Sequence, residues 1–503
     1  MMRKLLIANR GEIAVRIMRT AREMGIHTLA VYSDADRDSV HAALADEAVD
    51  IGDPAPANSY LNIPLLIEVA RTRGADALHP GYGFLSERPE LVEACEAAGL
   101  TFVGPPAAAM RRLGSKIEAK KLAVASEVPV TPGFFEPGAT PDRLRQAAEE
   151  IGYPVMLKAS AGGGGRGMRI VREPEGFARE LELASDEAWK AFGDGEMMVE
   201  KLVVDPRHIE AQFVADRHGQ VAVLFERECS IQRRHQKLIE EAPSVVLERA
   251  PEEWPALRDA VTRLAHAAGY VGAGTAEFIY EESTGQFYFL EVNARLQVEH
   301  PVTEAITGLD LVRLQLEVAD GRRLEVPASL LGGERAAMSG HAIEARVVAE
   351  DPERDFLPSV GRILAWAEPR GPGVRIDSGY GPGATVSRYY DSLLAKVIAH
   401  GPDRTSALSR LEAALQDFHI LGVKTNIPFL LEVIRHPEFQ AGRFDTGFLS
   451  RELPEWTMPV APVAELAALM SAASVATQGT SGRSRAPRVW DLADGFRIGA
   501  SGG

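Results

Sequence analysis

Between Glu291 and Glu299 the chain reads EVNARLQVE, and every second residue is polar: Glu291, Asn293, Arg295, Gln297 and Glu299. Successive side chains of a strand point to opposite faces, so a strand here sets two acids, a base and two amides in one row. A partner strand lies just upstream. GTAEFIYE (274–281) and QFYFLEV (286–292) flank ESTG (282–285), which reads as a hairpin connection with Gly285 in the left-handed position. Centring that turn near Thr284 sets Glu277 opposite Glu291. Two carboxylates facing each other across strands repel. A divalent cation between them reverses the sign, and oxygen donors of this kind suit Mg²⁺ held against substrate phosphates. Asn293 adds a neutral oxygen on the same face. Arg295 and Glu299 continue the row, roughly 13 Å apart along an ideal strand, so they meet only if the chain turns near Val298. Pro301 favours such a bend. A guanidinium could then fix a small planar anion while a carboxylate takes its proton. An exposed polar sheet face and a structural Arg–Glu pair are the plainer alternatives.

Two further stretches carry chemistry. KASAGGGGRGMRI (158–170) satisfies G-x-G-x-x-G, but strand-like residues flank it on both sides where that pattern normally opens a helix. A glycine-rich hairpin brings backbone N–H groups close to phosphate and can close as a lid, and Lys158 precedes it with a positive charge. A merely flexible surface hairpin is the alternative. ERECSIQRRHQKL (226–238) concentrates Gln232, Arg233, Arg234, His235 and Lys237 in an acidic chain. Without interleaved aromatic residues it suits a triphosphate or carboxylate rather than nucleic acid, or else a solvated charged loop. His208, taken alone, reads as a structural histidine.

The elements that must position these groups follow from hydrophobic spacing. KLLIAN, HTLAVYS, ADALHP and LTFVG read as strands; EIAVRIMRTAREMG and PLLIEVARTRG read as helices, the first ended by Gly25. Alternation of this kind predicts a doubly wound parallel sheet over 1–113, with HPGYGFLSE (79–87) at a strand end where such sheets place ligands. The first turn carries only Gly11, so a dinucleotide is not expected. A linker helix and a small strand–helix unit are expected over 114–203, and a larger β-rich region over 204–450. The tail 451–503 reads as a helix followed by an Ala-, Ser- and Thr-rich linker. The 503 residues carry a formal charge of −16 with no long basic run, against nucleic acid as the main ligand. Two cysteines, Cys95 and Cys229, make no disulfide framework, and no stretch is apolar enough to span a bilayer. A cytoplasmic setting is expected.

Together, IANRGEIAVRI, HPGYGFLSE, GSKIEAK, KASAGGGGRGM, ERECSIQRRHQKL, EVNARLQVEHPVTE and GHAIEARVVAEDP, in that order, resemble the biotin carboxylases of the ATP-grasp superfamily. The resemblance covers residues 2 to about 450. It implies an α/β fold in which an N-terminal doubly wound domain, a small mobile lid and a larger β-rich C-terminal domain clamp ATP. It implies ATP contacts at Lys116, Lys158, Gly163, Gly164, Gly165, Glu200, Lys201, Leu202, Val203, His208, Gln232 and His235, which reverses the isolated reading of His208. Glu277, Glu291 and Asn293 resemble ligands of Mg²⁺ or Mn²⁺, two ions in all. Lys237, Arg295, Gln297 and the Val298 backbone resemble a bicarbonate site. Glu299 resembles the general base and Arg346 the biotin-facing arginine, with Tyr82 and Glu87 lining the biotin pocket.

The implied activity is that of a ligase: bicarbonate attacks the γ-phosphate of ATP to give carboxyphosphate, and the CO₂ released from it carboxylates biotin. The implied partners are a biotin carboxyl carrier protein or domain, a carboxyltransferase subunit of an acyl-CoA carboxylase, and a second copy of the chain as a homodimer. The sequence contains no Met-Lys-Met, the usual attachment tripeptide, so the carrier is expected elsewhere. An ATP-grasp ligase for another carboxylate and a nucleotide-binding scaffold without turnover are the rivals. HPGYGFLSE and GHAIEARV argue against the first, and the retained Glu299 and Arg295 against the second.

Overall fold

In the computed structural model, which describes residues 2–161 and 167–458, the stretch KLLI forms β1 (Lys4–Ile7) and its apolar run is buried. β2 (His27–Tyr32), β3 (Glu47–Asp50), β4 (Ala77–His79) and β5 (Thr101–Phe102) complete an all-parallel sheet in the order β3-β2-β1-β4-β5. Near-continuous apolar strands suit a sheet covered on both faces. β3 is the strand that spacing alone did not reveal: EAVD is half acidic and lies half exposed at the sheet edge. The strand order reverses between β1 and β4, which opens a crevice at their carboxyl ends. There Asn9 Nδ2 donates to the carbonyls of Pro80 and Tyr82, 2.7 Å each. Gly81 has φ +63°, and a Cβ on it would fall 2.9 Å from Asn9 Nδ2, so this turn requires glycine.

β6 (Gly133–Phe134), β7 (Val155–Ala159), β8 (Met168–Val171) and β9 (Met197–Lys201) form an antiparallel sheet in the order β6-β9-β7-β8. The helices Pro141–Ile151 and Phe177–Phe192 cover it, and Leu144, Val155, Leu157, Phe177, Leu181 and Val199 form a core of its own. The expected phosphate contacts Gly163, Gly164 and Gly165, and the tail from residue 459 onward, lie outside the described residues.

The third sheet is antiparallel and eight-stranded. β10 (Arg207–Ala215), β11 (Val221–Arg233), β12 (Gln236–Ala242), β13 (Gly272–Glu281), β14 (Gln286–Asn293), β15 (His341–Val348), β16 (Val374–Ser378) and β17 (Leu393–Gly401) run in the order β14-β13-β10-β11-β12-β15-β17-β16. Glu277 stands opposite Glu291 as expected, but for a different reason. Near the turn the pairing is Phe278 with Phe289; a bulge at Leu290 then shifts the register by one and brings Glu277 onto Glu291.

One expectation fails: the strand does not run to Glu299. β14 ends at Asn293, and Glu299 immediately precedes the helix His300–Thr307. Where the backbone leaves the ladder, the Ala294 N–H is accepted by Glu87 Oε1 at 3.1 Å, a partner from the first domain and not from the neighbouring strand. Arg295 and Glu299 therefore both stand on a loop and not in a strand row with a single late bend. Their charges act on one another, but the bonded partners of the Arg295 guanidinium are Glu87, Asn293, Leu296 and Gln297, and those of the Glu299 carboxylate are Lys237 and Arg346.

Candidate active site

Cross-strand register builds the centre of the site. Arg227 on β11 pairs with Glu210 on β10, Glu210 with Glu277 on β13, and Glu277 with Glu291 on β14. Directly opposed residues share a face, so four charged side chains run across four strands. Lys237 reaches this line from β12. Its ammonium donates to Glu210 at 2.6 Å, to Glu277 at 2.8 Å and to Glu299 at 2.7 Å. Burial alone would lower the Lys237 ammonium, but these three carboxylates outweigh it and raise it well above its ordinary value. Glu277 also accepts from His208 Nε2 at 2.9 Å and from Asn293 Nδ2 at 2.8 Å.

Glu299 is fully buried and bridges two cations, with Lys237 on one oxygen and Arg346 Nη2 on the other at 2.8 Å. Burial would raise its pKa; Lys237, Arg346 and Arg227 outweigh that and hold the carboxyl well below the usual range. Arg346 is held from behind by Glu240, with Nε at 2.5 Å from Oε1. Arg295 pairs with Glu87 at 3.1 Å, donates to Asn293 Oδ1 at 3.0 Å and to Gln297 Oε1 at 3.2 Å. Gln297 donates in turn to Glu277 at 3.3 Å, and the Val298 carbonyl accepts from Lys396 at 3.0 Å.

The other basic residues lie along the same hollow. Lys158 pairs with the buried Glu200 at 2.9 Å. Lys201 Nζ turns to the Gly152 carbonyl at 2.9 Å. Lys116 makes a long contact of 4.0 Å with Glu291. His235 stands with Arg234 in a two-residue hairpin where both have positive φ, +64° and +48°. Arg233 and Arg234 both pair with Asp355, which holds that hairpin. One cavity of about 1810 Å³ is lined by Lys116, Lys158, Glu200, Lys201, Leu202, Val203, His208, Gln232, His235, Lys237, Glu277, Glu291, Asn293, Arg295, Gln297, Val298, Arg346, Tyr82 and Glu87. That exceeds the few hundred to about 1,000 Å³ of an ordinary ligand pocket, leaving room for a nucleotide and a second substrate. Glu299 stands behind this wall, shielded by Lys237 and Arg346.

Glu277 and Glu291 offer carboxylate oxygens of the kind Mg²⁺ or Mn²⁺ requires, whereas Asn293 turns its Nδ2 to Glu277 and its Oδ1 to Arg295, so its amide would have to turn for its oxygen to join them. Glu291 is raised by burial, with the neighbouring charge of Glu277 adding to it against the pull of Lys116. An added cation between these carboxylates would relieve that repulsion, so the residues present fit a divalent ion. The trios His208–Glu210–Glu277 and Glu210–Cys229–Glu299 also converge among the described residues. Lys237 contacts Glu210 and one further acid of each trio, which leaves little place for a dication there.

Several participants were not singled out from sequence. Glu210 lies two residues from His208 on one face of β10, an alternation that HIEAQ displays. Lys120 is one helical turn beyond Lys116; its buried ammonium donates to the Phe289 carbonyl at 2.8 Å and pairs with Glu200 at 3.1 Å. Arg227 and Glu240 carry no local signal, because their partners come from other strands.

The chain is similar to known proteins along most of its length. Three family models match: "Biotin carboxylase, N-terminal domain" over 1–110, "Carbamoyl-phosphate synthase L chain, ATP binding domain" over 115–326, and "Biotin carboxylase C-terminal domain" over 344–451. The biotin carboxylase of Nostoc sp. is 49% identical over 446 residues, 89% of this chain and 98% of that protein. The mitochondrial methylcrotonoyl-CoA carboxylase subunit alpha of Mus musculus is 49% identical over 448 residues, 89% of this chain, and the matched region spans 61% of that longer subunit. Among solved structures, the biotin carboxylase domain dimer of Hydrogenobacter thermophilus 2-oxoglutarate carboxylase, in complex with MgADP, ADP and bicarbonate, aligns with a TM-score of 0.87 at 42% identity. It covers 92% of this chain and 100% of that one.

Proposed function

The chain belongs to the biotin carboxylase family, and from that premise we propose that it carboxylates carrier-bound biotin using ATP and bicarbonate, as the first half-reaction of an acyl-CoA carboxylase. The observation that carries this reading is the Glu299 carboxylate held between Lys237 and Arg346, with Arg295 nearby, beside a cavity that also contains Lys116 and Lys158. It is an ionised base among cations sized for a small anion.

The base works through competition for those cations. Lys237 and Arg346 keep Glu299 strongly acidic while they face it. A bicarbonate engaging Lys237 and Arg295 draws positive charge away, which raises the proton affinity of Glu299 where a proton must be accepted. Glu299 then takes the bicarbonate proton, an oxygen of the anion attacks the γ-phosphorus of ATP, and ADP leaves with the bond electrons. Lys116 and Lys158 offset charge on the transferring group, so catalysis is positioning and electrostatics. A divalent ion held by Glu277, Glu291 and Asn293 would add charge stabilisation at the phosphates. The carboxyphosphate breaks into CO₂ and phosphate, phosphate accepts the N1 proton of biotin, and N1 attacks CO₂. Arg346 stabilises the enolate-like ureido oxygen, with Tyr82 and Glu87 lining that end.

A biotin carrier, a carboxyltransferase and a second copy of the chain are the proposed partners. Cys95 and Cys229 are free and buried, which supports a reducing setting such as the cytoplasm. Among the described residues no helix is long and apolar enough to cross a membrane. The test is phosphate release by the purified chain with MgATP. Release that requires bicarbonate and rises with free biotin is expected; release indifferent to both refutes the reading.

A further inference from the structure

Lys396 on β17 is wholly buried and takes no part in the chemistry above. Its ammonium donates to the Val298 carbonyl at 3.0 Å and lies 3.2 Å from Glu12 Oε2 and 3.7 Å from Asp377 Oδ2. These contacts come from three parts of the chain. Glu12 is on the helix Gly11–Glu23 behind the first sheet, Asp377 on β16 of the third, and Val298 in the loop that delivers Glu299. Packing around the junction is close: a Cβ on Gly379 would fall 2.4 Å from the Glu12 backbone nitrogen. Burial would lower the Lys396 ammonium, but Glu12, Glu344 and Asp377 outweigh it and the net direction is upward, so it stays charged.

The loop from Ala294 to Glu299 has left the ladder, so its carbonyls need other donors. Lys396 supplies one at the peptide that joins Val298 to Glu299. We propose that Lys396 is a positioning residue for the carboxylation reaction: by pinning the Val298 carbonyl to Glu12 and Asp377, it fixes where the Glu299 carboxylate meets Lys237 and Arg346. This rests on the proposed role of Glu299. Asp377 has its own partner in Arg375 at 2.7 Å, whereas neither Glu12 oxygen accepts a hydrogen bond in the described structure. Removing the ammonium alone therefore strands Glu12 together with Glu344, whose oxygens likewise accept no hydrogen bond; removing the Glu12 charge as well leaves only Glu344, which burial already drives toward its neutral form.

The test compares Lys396→Met with the double variant Lys396→Met/Glu12→Gln, reading thermal midpoint, KM for ATP and kcat for bicarbonate-dependent ATP cleavage. The double variant should recover most of the melting temperature lost in the single one and keep KM for ATP within about twofold. Its kcat should stay roughly tenfold or more below wild type, since displacing a reacting group by about 1 Å can cost 10²-fold. A double variant that recovers both melting temperature and kcat makes Lys396 a structural charge only and overturns the proposal. If both Met variants fail to fold, Lys396→Arg keeps the charge but moves the donor: a selective loss of kcat supports positioning, and an unchanged kcat overturns it. Wild-type turnover is the control, since its failure to depend on bicarbonate strikes the assigned reaction and not the role of Lys396.

Discussion

Glu299→Gln tests the proposed base apart from its surroundings. The substitution preserves shape and leaves the neighbouring cations compensated: Lys237 keeps Glu210 at 2.6 Å and Glu277 at 2.8 Å, and Arg346 keeps Glu240 at 2.5 Å. A glutamine offers one acceptor where the carboxylate offered two, so one charge-assisted bond is lost. That costs about 1.5–3 kcal/mol, within the roughly 5–15 kcal/mol by which proteins are stable. The fold should survive, and MgATP should bind with affinity changed by no more than a few fold. The loss of a positioned proton acceptor is larger, about 10²–10⁴ in rate, or ~3–5 kcal/mol in the barrier. Single-turnover assays of bicarbonate-dependent ATP cleavage and of biotin carboxylation should fall together by that factor, because the proton is removed before either product forms. A folded Glu299→Gln protein that cleaves ATP with bicarbonate at near wild-type rate would refute the assignment. The proton would then go elsewhere, and the Lys237–Glu299–Arg346 bridge would be a binding frame only.

Arg346→Ala should lower biotin carboxylation more than bicarbonate-dependent ATP cleavage, read as the ratio of carboxybiotin to phosphate formed; equal losses would count against a role confined to the second step. Its contact with Glu299 at 2.8 Å means that some ATP cleavage will also be lost. Glu291→Gln should raise the Mg²⁺ concentration needed for half-maximal turnover several-fold, and an unchanged metal dependence would unseat the Glu277–Glu291 pair as the ion's seat. His341 lies 2.8 Å from Glu241 and 3.5 Å from Glu248. Burial lowers its pKa, but the hydrogen bonds to these acids prevail and raise it from 6.5 to about 8. The stability it contributes is thus fully present below its unfolded value and lost as pH rises through the folded one. The difference in melting temperature between wild type and His341→Gln should be largest near pH 6 and shrink by about pH 9.

What could be read without coordinates was whatever local spacing encodes. The apolar runs KLLI and HTLAVY announce buried parallel strands, and the glycine after EIAVRIMRTAREM ends the first helix, because a strand's period and a helix's period are properties of neighbouring residues. The Glu277–Glu291 pair was legible for a related reason: a short turn brings close-spaced residues together. Yet the bulge at Leu290 that sets their alignment was not visible. The end of β14 at Asn293 was also hidden, since alternation continues to Glu299 while the acceptor met by the Ala294 N–H, Glu87, lies over two hundred residues earlier. Glu210 and Arg227 gained meaning only from the register of β10 against β11 and β13, and Lys396 only from the packing of the Gly11–Glu23 helix against the third sheet. A charged side chain in a strand looks alike whether it faces water or a buried partner. Its role depends on which distant strand is laid beside it, and that is decided by burying the whole core at once.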